Sequence, residues 1–157
     1  PRGTAMSVLT RAEDVAAEVK RRVETITVAQ GSETNIGAAV YLGRRGEQID
    51  SEMVPCTTVI EGNDNPATDM VRTQVRNAQK YMLFGFLPCD PLHPNVSAHA
   101  ALRDLKRAMF KDGITWGGRV RRVSYLGREI APRSDGAAVV LAAIEIEVEF
   151  VEDLAAP

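Results

Sequence analysis

The chain has 157 residues, of which 45% are hydrophobic and 25% charged, and its net charge is -2. A domain near this size buries roughly 68–70% of its unfolded surface, enough for one core. The balanced charge argues against a general nucleic-acid binder, which needs an evident basic excess, and no apolar run reaches the ~20 residues of a membrane span.

The N-terminus lacks the apolar stretch of a signal peptide. Residues 1–5 read as an expression-tag remnant ahead of Met6, which leaves residues 6–157 as a single domain. Thr10-Arg11-Ala12-Glu13 fits a capping box, in which hydroxyl and carboxylate satisfy the first helical amides reciprocally. Ala12, Val15, Ala16, Val19, Val23 and Ile26 then recur at three and four. This predicts an amphipathic helix of about 16 residues, with Glu13, Glu18, Lys20 and Arg21 outward. Gly31-Ser32 ends it.

Residues 35–45 alternate at Ile36, Ala38, Val40 and Leu42 and predict a strand. Arg44-Arg45-Gly46-Glu47 reads as a polar turn. Residues 54–61 predict a second strand, with Pro55 at its start or on an edge because proline donates no ladder hydrogen bond. Glu61-Gly62-Asn63-Asp64-Asn65-Pro66 has loop composition. Residues 70–87 fit strand alternation, while Val71, Val75, Ala78 and Met82 also fit a helix. One long strand, bent or bulged around Asn77-Ala78, is the preferred reading.

Pro88, Pro91 and Pro94 punctuate a rigid loop. A second helix is predicted over residues 97–112. Ala98, Ala101, Leu102, Leu105, Ala108 and Met109 form its apolar stripe, and Arg103, Lys106, Arg107 and Lys111 its basic face. Gly113 is placed to cap it. Trp116-Gly117-Gly118 reads as a turn, residues 120–130 as a strand and residues 132–136 as a turn. From Ile144 to Phe150 apolar residues alternate with Glu145, Glu147 and Glu149, the period of a strand with one buried and one wet face. Helix, three strands, helix and two strands predict an α+β fold. The economical form is a two-layer sandwich, with a mixed or antiparallel sheet of about five strands and both helices on one face.

No catalytic constellation emerges. His93 and His99 have no serine elbow or carboxylate partner at motif spacing, and Asp90, Asp104 and Asp112 read as turn formation and helix charge patterning. Cys56 and Cys89 lack the Cys-x-x-Cys spacing of a metal site. They read as free thiols, and sequence cannot establish the separation a disulfide requires. No glycine-rich phosphate cradle is present, so neither cofactor nor metal is expected. Glu145, Glu147 and Glu149 lie about 6.8 Å apart along a strand, too far to share one ion without a neighbouring strand. They read as a solvated face or as an acidic surface with a purpose. Arg44, Arg45, Arg119, Arg121, Arg122 and Arg128 read either as solvated strand ends or as basic positions facing the acidic row of another subunit. Such heterologous contacts close into rings when the rotation allows.

From Tyr81 onward the order of features resembles the tail terminator proteins of long-tailed bacteriophages, the lambda-type minor tail protein U group. The likeness rests on Phe84-Gly85-Phe86 and Asp90-Pro91, on the helix from Ala101 through Arg103-Asp104-Leu105-Lys106-Arg107 to Met109, on Gly117-Gly118-Arg119-Val120, and on the closing strand from Ile144 to Phe150. The N-terminal helix and Pro55-Cys56-Thr57-Thr58-Val59-Ile60 are also similar. It is a pattern of features spanning nearly the whole chain, and tail-completion and neck proteins share much of it. The resemblance implies a structural role without catalytic residues. A hexameric ring would cap the tail tube, end tube polymerisation and present a surface to the neck proteins of the head. DNA would pass through the ring without sequence-specific binding, and no membrane would be involved. The expected location is the virion tail, and the host cytoplasm during assembly. Glu145, Glu147 and Glu149 are then candidates to face the channel, and Arg44, Arg45, Arg119, Arg121 and Arg122 to make contacts between subunits. The loops at residues 62–68 and 132–136 are candidates to order on assembly. A neck or completion protein of the same particle, or a small ligand-binding or enzymatic α+β domain, is the alternative.

Overall fold

A computed structural model of the chain describes residues 7–132 and 136–157. The expected tag remnant at residues 1–5 lies outside them, as does most of the expected turn at residues 132–136. Among the described residues are two α-helices, α1 (Ala12–Glu24) and α2 (Pro94–Phe110), and five strands. The strands are β1 (Val40–Leu42), β2 (Cys56–Pro66), β3 (Gln74–Pro88), β4 (Arg122–Ile130) and β5 (Val139–Asp153). They form one sheet in the order β1-β2-β3-β5-β4. β1 runs parallel to β2, and the other neighbours are antiparallel. The fold is the expected α+β sandwich with a mixed sheet.

The sandwich follows from alternation in β5. Val140, Ala142, Ile144, Ile146, Val148 and Phe150 all join the core. Their partners on β3 include Leu87, Gly85, Leu83 and Tyr81. Above them lie Val15, Val19 and Val23 of α1 and the expected stripe of α2, all buried. α2 packs on β3, β4 and β5, and α1 on β1, β2 and α2. Gly37 makes the close approach of α1 to the following chain possible. Its amide donates to the Ile26 carbonyl at 2.8 Å, and a Cβ there would overlap the Val23 carbonyl oxygen. Gly85 has a similar reason, since a Cβ would stand 3.1 Å from Cδ1 of the buried Ile36.

Several local expectations are corrected. The residue before α1 is Arg11, with no side-chain cap, and Glu13 pairs with Arg11 at 2.9 Å instead of closing a box with Thr10. The first strand shrinks to Val40–Leu42, because residues 35–39 turn instead, with the Ala38 amide donating to the Asn35 carbonyl at 3.0 Å and the Gly37 amide to the Ile26 carbonyl. β2 runs on through Gly62-Asn63-Asp64-Asn65 to Pro66, where composition reads as loop. Pairing with Asn77, Ala78 and Gln79 supplies the ladder that local propensity does not. The irregularity expected near Asn77-Ala78 falls on β2, between Glu61 and Asp64, and β3 pairs with β5 without a break. α2 starts three residues early, with Pro94 in its first turn, where a missing amide costs nothing.

Glu18 is buried, not outward. It receives Arg21 at 2.6 Å, Arg119 at 2.9 Å and Arg22 at 3.0 Å. Burial by itself would raise the Glu18 pKa. The hydrogen bond from Arg21 and the charges of Arg21, Arg119 and Arg22 outweigh it and hold the carboxyl below its ordinary value. Arg22 is buried as well, donating to the Ala108 carbonyl at 3.2 Å, with its guanidinium 4.6 Å from the ring centre of Trp116. Trp116 forms part of the expected turn but lies in the core, its indole N–H donating to the Met109 carbonyl at 2.7 Å. Asp104 is likewise not surface patterning. Buried on α2, it accepts the Glu33 amide at 3.1 Å, and the Thr34 amide and hydroxyl at 2.8 and 2.7 Å.

Candidate interaction surface

Both helices occupy one face of the sheet, so the alternate residues of β2, β3 and β5 form an uncovered face. It has two halves. At one end Ile60, Phe84, Phe86 and Leu141 line a groove of about 310 Å³, with Arg44, Arg45 and Gly46 along its side. At the other end stand Glu145, Glu147 and Glu149, each partly exposed.

The sequence signal for the apolar half lies in residues 81–87, which are apolar on both strand faces. Such a run marks a strand covered on both sides. The segment between β1 and β2 supplies part of that cover. It forms two short 3-10 turns, Gly46–Gln48 and Ser51–Met53. Thr58 Oγ1 donates to the Arg44 carbonyl at 2.8 Å and so ties the segment to β2. The Arg44 guanidinium lies 4.5 Å from the ring centre of Tyr41. Cys56 is buried at the start of β2, and that burial raises its thiol pKa while the Arg44 charge opposes the rise. Cys89 is only partly buried, and both are free thiols.

The acidic half is tempered by cations. Glu147 lies opposite Lys80 in the β3–β5 register, and Glu149 opposite Arg122 in the β4–β5 register. The Glu149 carboxylate is 3.5 Å from Arg121 and 3.9 Å from Arg76. Among the described residues, no group of three or more His, Cys, Asp or Glu could hold a metal ion. No helix among them is long and apolar enough to cross a membrane.

The candidate arginines divide by environment. Arg119 is committed inside the chain, to Glu18 at 2.9 Å and to the Ser7 carbonyl at 3.3 Å. Arg121 faces Glu149, Arg45 lies 3.9 Å from Glu47, and Arg122 is exposed on β4. His93 and His99 are exposed, at the start and in the second turn of α2, and His99 Nδ1 is 3.4 Å from Arg128. Sequence reading did not anticipate that the two ends of the sheet differ. β1 covers only residues Thr57 to Val59 of β2. Beyond it Leu42, Gly43, Val59 and Ile60 line a notch of about 450 Å³, with Arg45 and Glu61 at its rim.

No family model matches the chain, and no curated protein matches it. Among solved structures, it is similar to a chain of a particle described as "Virion of native gene transfer agent (GTA) particle". The identity is 16% and the TM-score 0.49, over 86% of this chain and 96% of that one. A likeness of that degree assigns no role.

Proposed function

We propose that this chain is a structural protein of a phage-like particle, a tail terminator that works by shape with no bond made or broken. Six copies would form a ring on the tail tube, stop its polymerisation and offer the head's neck proteins a surface. The molecule would act in the virion tail and assemble in the host cytoplasm. The observation that carries the reading is the uncovered sheet face, apolar at one end and acidic at the other. Such a face suits a subunit completed by its neighbours better than a solitary domain, because Ile60, Phe84 and Leu141 stay partly exposed in a groove that the β1–β2 segment only partly covers. The sequence resemblance, which spans nearly the whole chain, supports the same reading. In the ring, Glu145, Glu147 and Glu149 would face the channel, where the cations beside Glu147 and Glu149 would limit their repulsion of DNA phosphates.

Electron microscopy of the protein mixed with polymerised tube subunits tests this. Rings at tube ends, with co-sedimentation, are expected. Binding to the head's portal complex without binding to tubes would move the role to a neck or completion protein. No binding to either would end the assembly reading. Replacing Glu145, Glu147 and Glu149 by lysine should retard DNA passage while rings still form, and unchanged infectivity would remove the channel role.

A further inference from the structure

We infer that copies of this chain join edge to edge, with the outer edge of β4 in one copy pairing with β2 of the next, in the notch where β1 stops. The contact deepens the ring reading and rests on it only for closure into a circle.

Three observations carry it. First, both ends of the sheet are open. No strand among the described residues covers β2 from Ile60 to Pro66. At the other end the Val123 amide is taken by the Ile114 carbonyl at 2.6 Å, so β4 is open from Ser124 onward. Such edges are templates for another strand. Second, each edge carries exposed apolar side chains: Leu42 at 55% beside the notch, and Tyr125 and Leu126 at 44% and 43% where β4 bulges. Third, the ends differ in charge. Residues 44–72 hold six carboxylates against three arginines, one of them Arg45 at the rim of the notch, and residues 103–130 hold eight lysines and arginines against three carboxylates. Arg119 and Arg121 are engaged within the chain, while Arg122 and Arg128, the latter beside His99, stand exposed on β4 itself.

Strand direction fits as well. β2 and β5 run the same way and β4 runs opposite to both. A second copy in the same orientation therefore brings β4 antiparallel to β2, the commoner pairing. Unlike surfaces meet, so the contact is heterologous and the occupant of the notch is a second copy of this chain. Complementary charge would set its register and reject self-pairing of like edges.

The test uses two cysteine variants, Glu61→Cys and Leu126→Cys, each in a Cys89→Ser background. A short bis-maleimide is applied at millimolar protein and low salt. A covalent dimer is expected only when the two variants are mixed. No dimer in the mixture, or an equal yield from either variant alone, would overturn the contact. In the same assay, adding Arg122→Glu and Arg128→Glu to the Leu126→Cys partner should lower the yield at least about tenfold. Adding Glu61→Lys is not possible on the labelled site, so Asn63→Lys with Asp64→Lys reverses the other edge, and combining both reversed partners should restore the dimer. Failure to restore it would count against charge-guided pairing. Dimers that form while tubes stay uncapped would leave the contact standing and end the terminator role. Capped tubes without dimers would do the opposite.

Discussion

The two faces of the sheet are made by the same strands, yet they obey different rules. On the covered face Ile144, Ile146 and Val148 are fully buried beneath the helices. One residue away, Glu145, Glu147 and Glu149 remain partly exposed. The covered face is closed by packing and by charges paired within the chain. The open face keeps an apolar groove and an acidic row whose neighbours are only partly supplied by the chain itself. Stability should therefore reside on one face and assembly on the other.

The largest effect should come from the covered face. Ile146→Ala should cost about 3 kcal/mol through lost burial and the cavity it leaves, read from urea or guanidinium unfolding midpoints. A loss under about 1 kcal/mol would mean that the helices do not close this layer. Glu18→Gln should cost about 2 kcal/mol at neutral pH, because Arg22 stays buried with a weaker partner. Its pH dependence sharpens the point. The folded pKa of Glu18 lies below its unfolded value. Its contribution is thus fully present above the unfolded pKa and lost as pH falls through the folded one. Unfolding measured downward from about pH 5 should show wild type losing its advantage over Glu18→Gln. A constant difference across that range would contradict the ion network.

Tyr81 offers a smaller test of the same face. Its hydroxyl is buried with no hydrogen-bond partner among the described residues, and burial raises its pKa, helped by the charge of Glu61. Tyr81→Phe should be neutral or stabilising by up to about 1 kcal/mol, and a clear loss of stability would show that the hydroxyl is satisfied. The smallest effect belongs to the open face. Glu147→Ala should change stability by less than about 0.5 kcal/mol. A larger change in the isolated protein would mean that this face is part of the fold's own support.

Much of this architecture could be read along the chain. β5 was legible because glutamates alternate with branched residues, and α2 because its six-residue apolar stripe repeats at helical spacing. The order of elements and the placing of both helices on one face followed from those periods. Less of the candidate surface was legible. Glu145, Glu147 and Glu149 share a face as their spacing required, but the cations beside them come from β3 and from the loop and strand around Arg121 and Arg122. Arg119 looked like a free surface cation and is held by Glu18, a hundred residues earlier. The turn-like residues 62–66 became a strand through their partner, and Trp116 keeps its turn while its side chain joins the core.

The sequence by itself determined the periodic elements, since a two-residue or 3.6-residue repeat is a property of neighbouring bonds and needs no distant contact. Tertiary structure decided which charges are buried, where the irregularity in the β2–β3 pair falls, and which sheet edges stay bare. Those outcomes depend on residues far apart in the chain meeting in space, where desolvation and pairing are settled together.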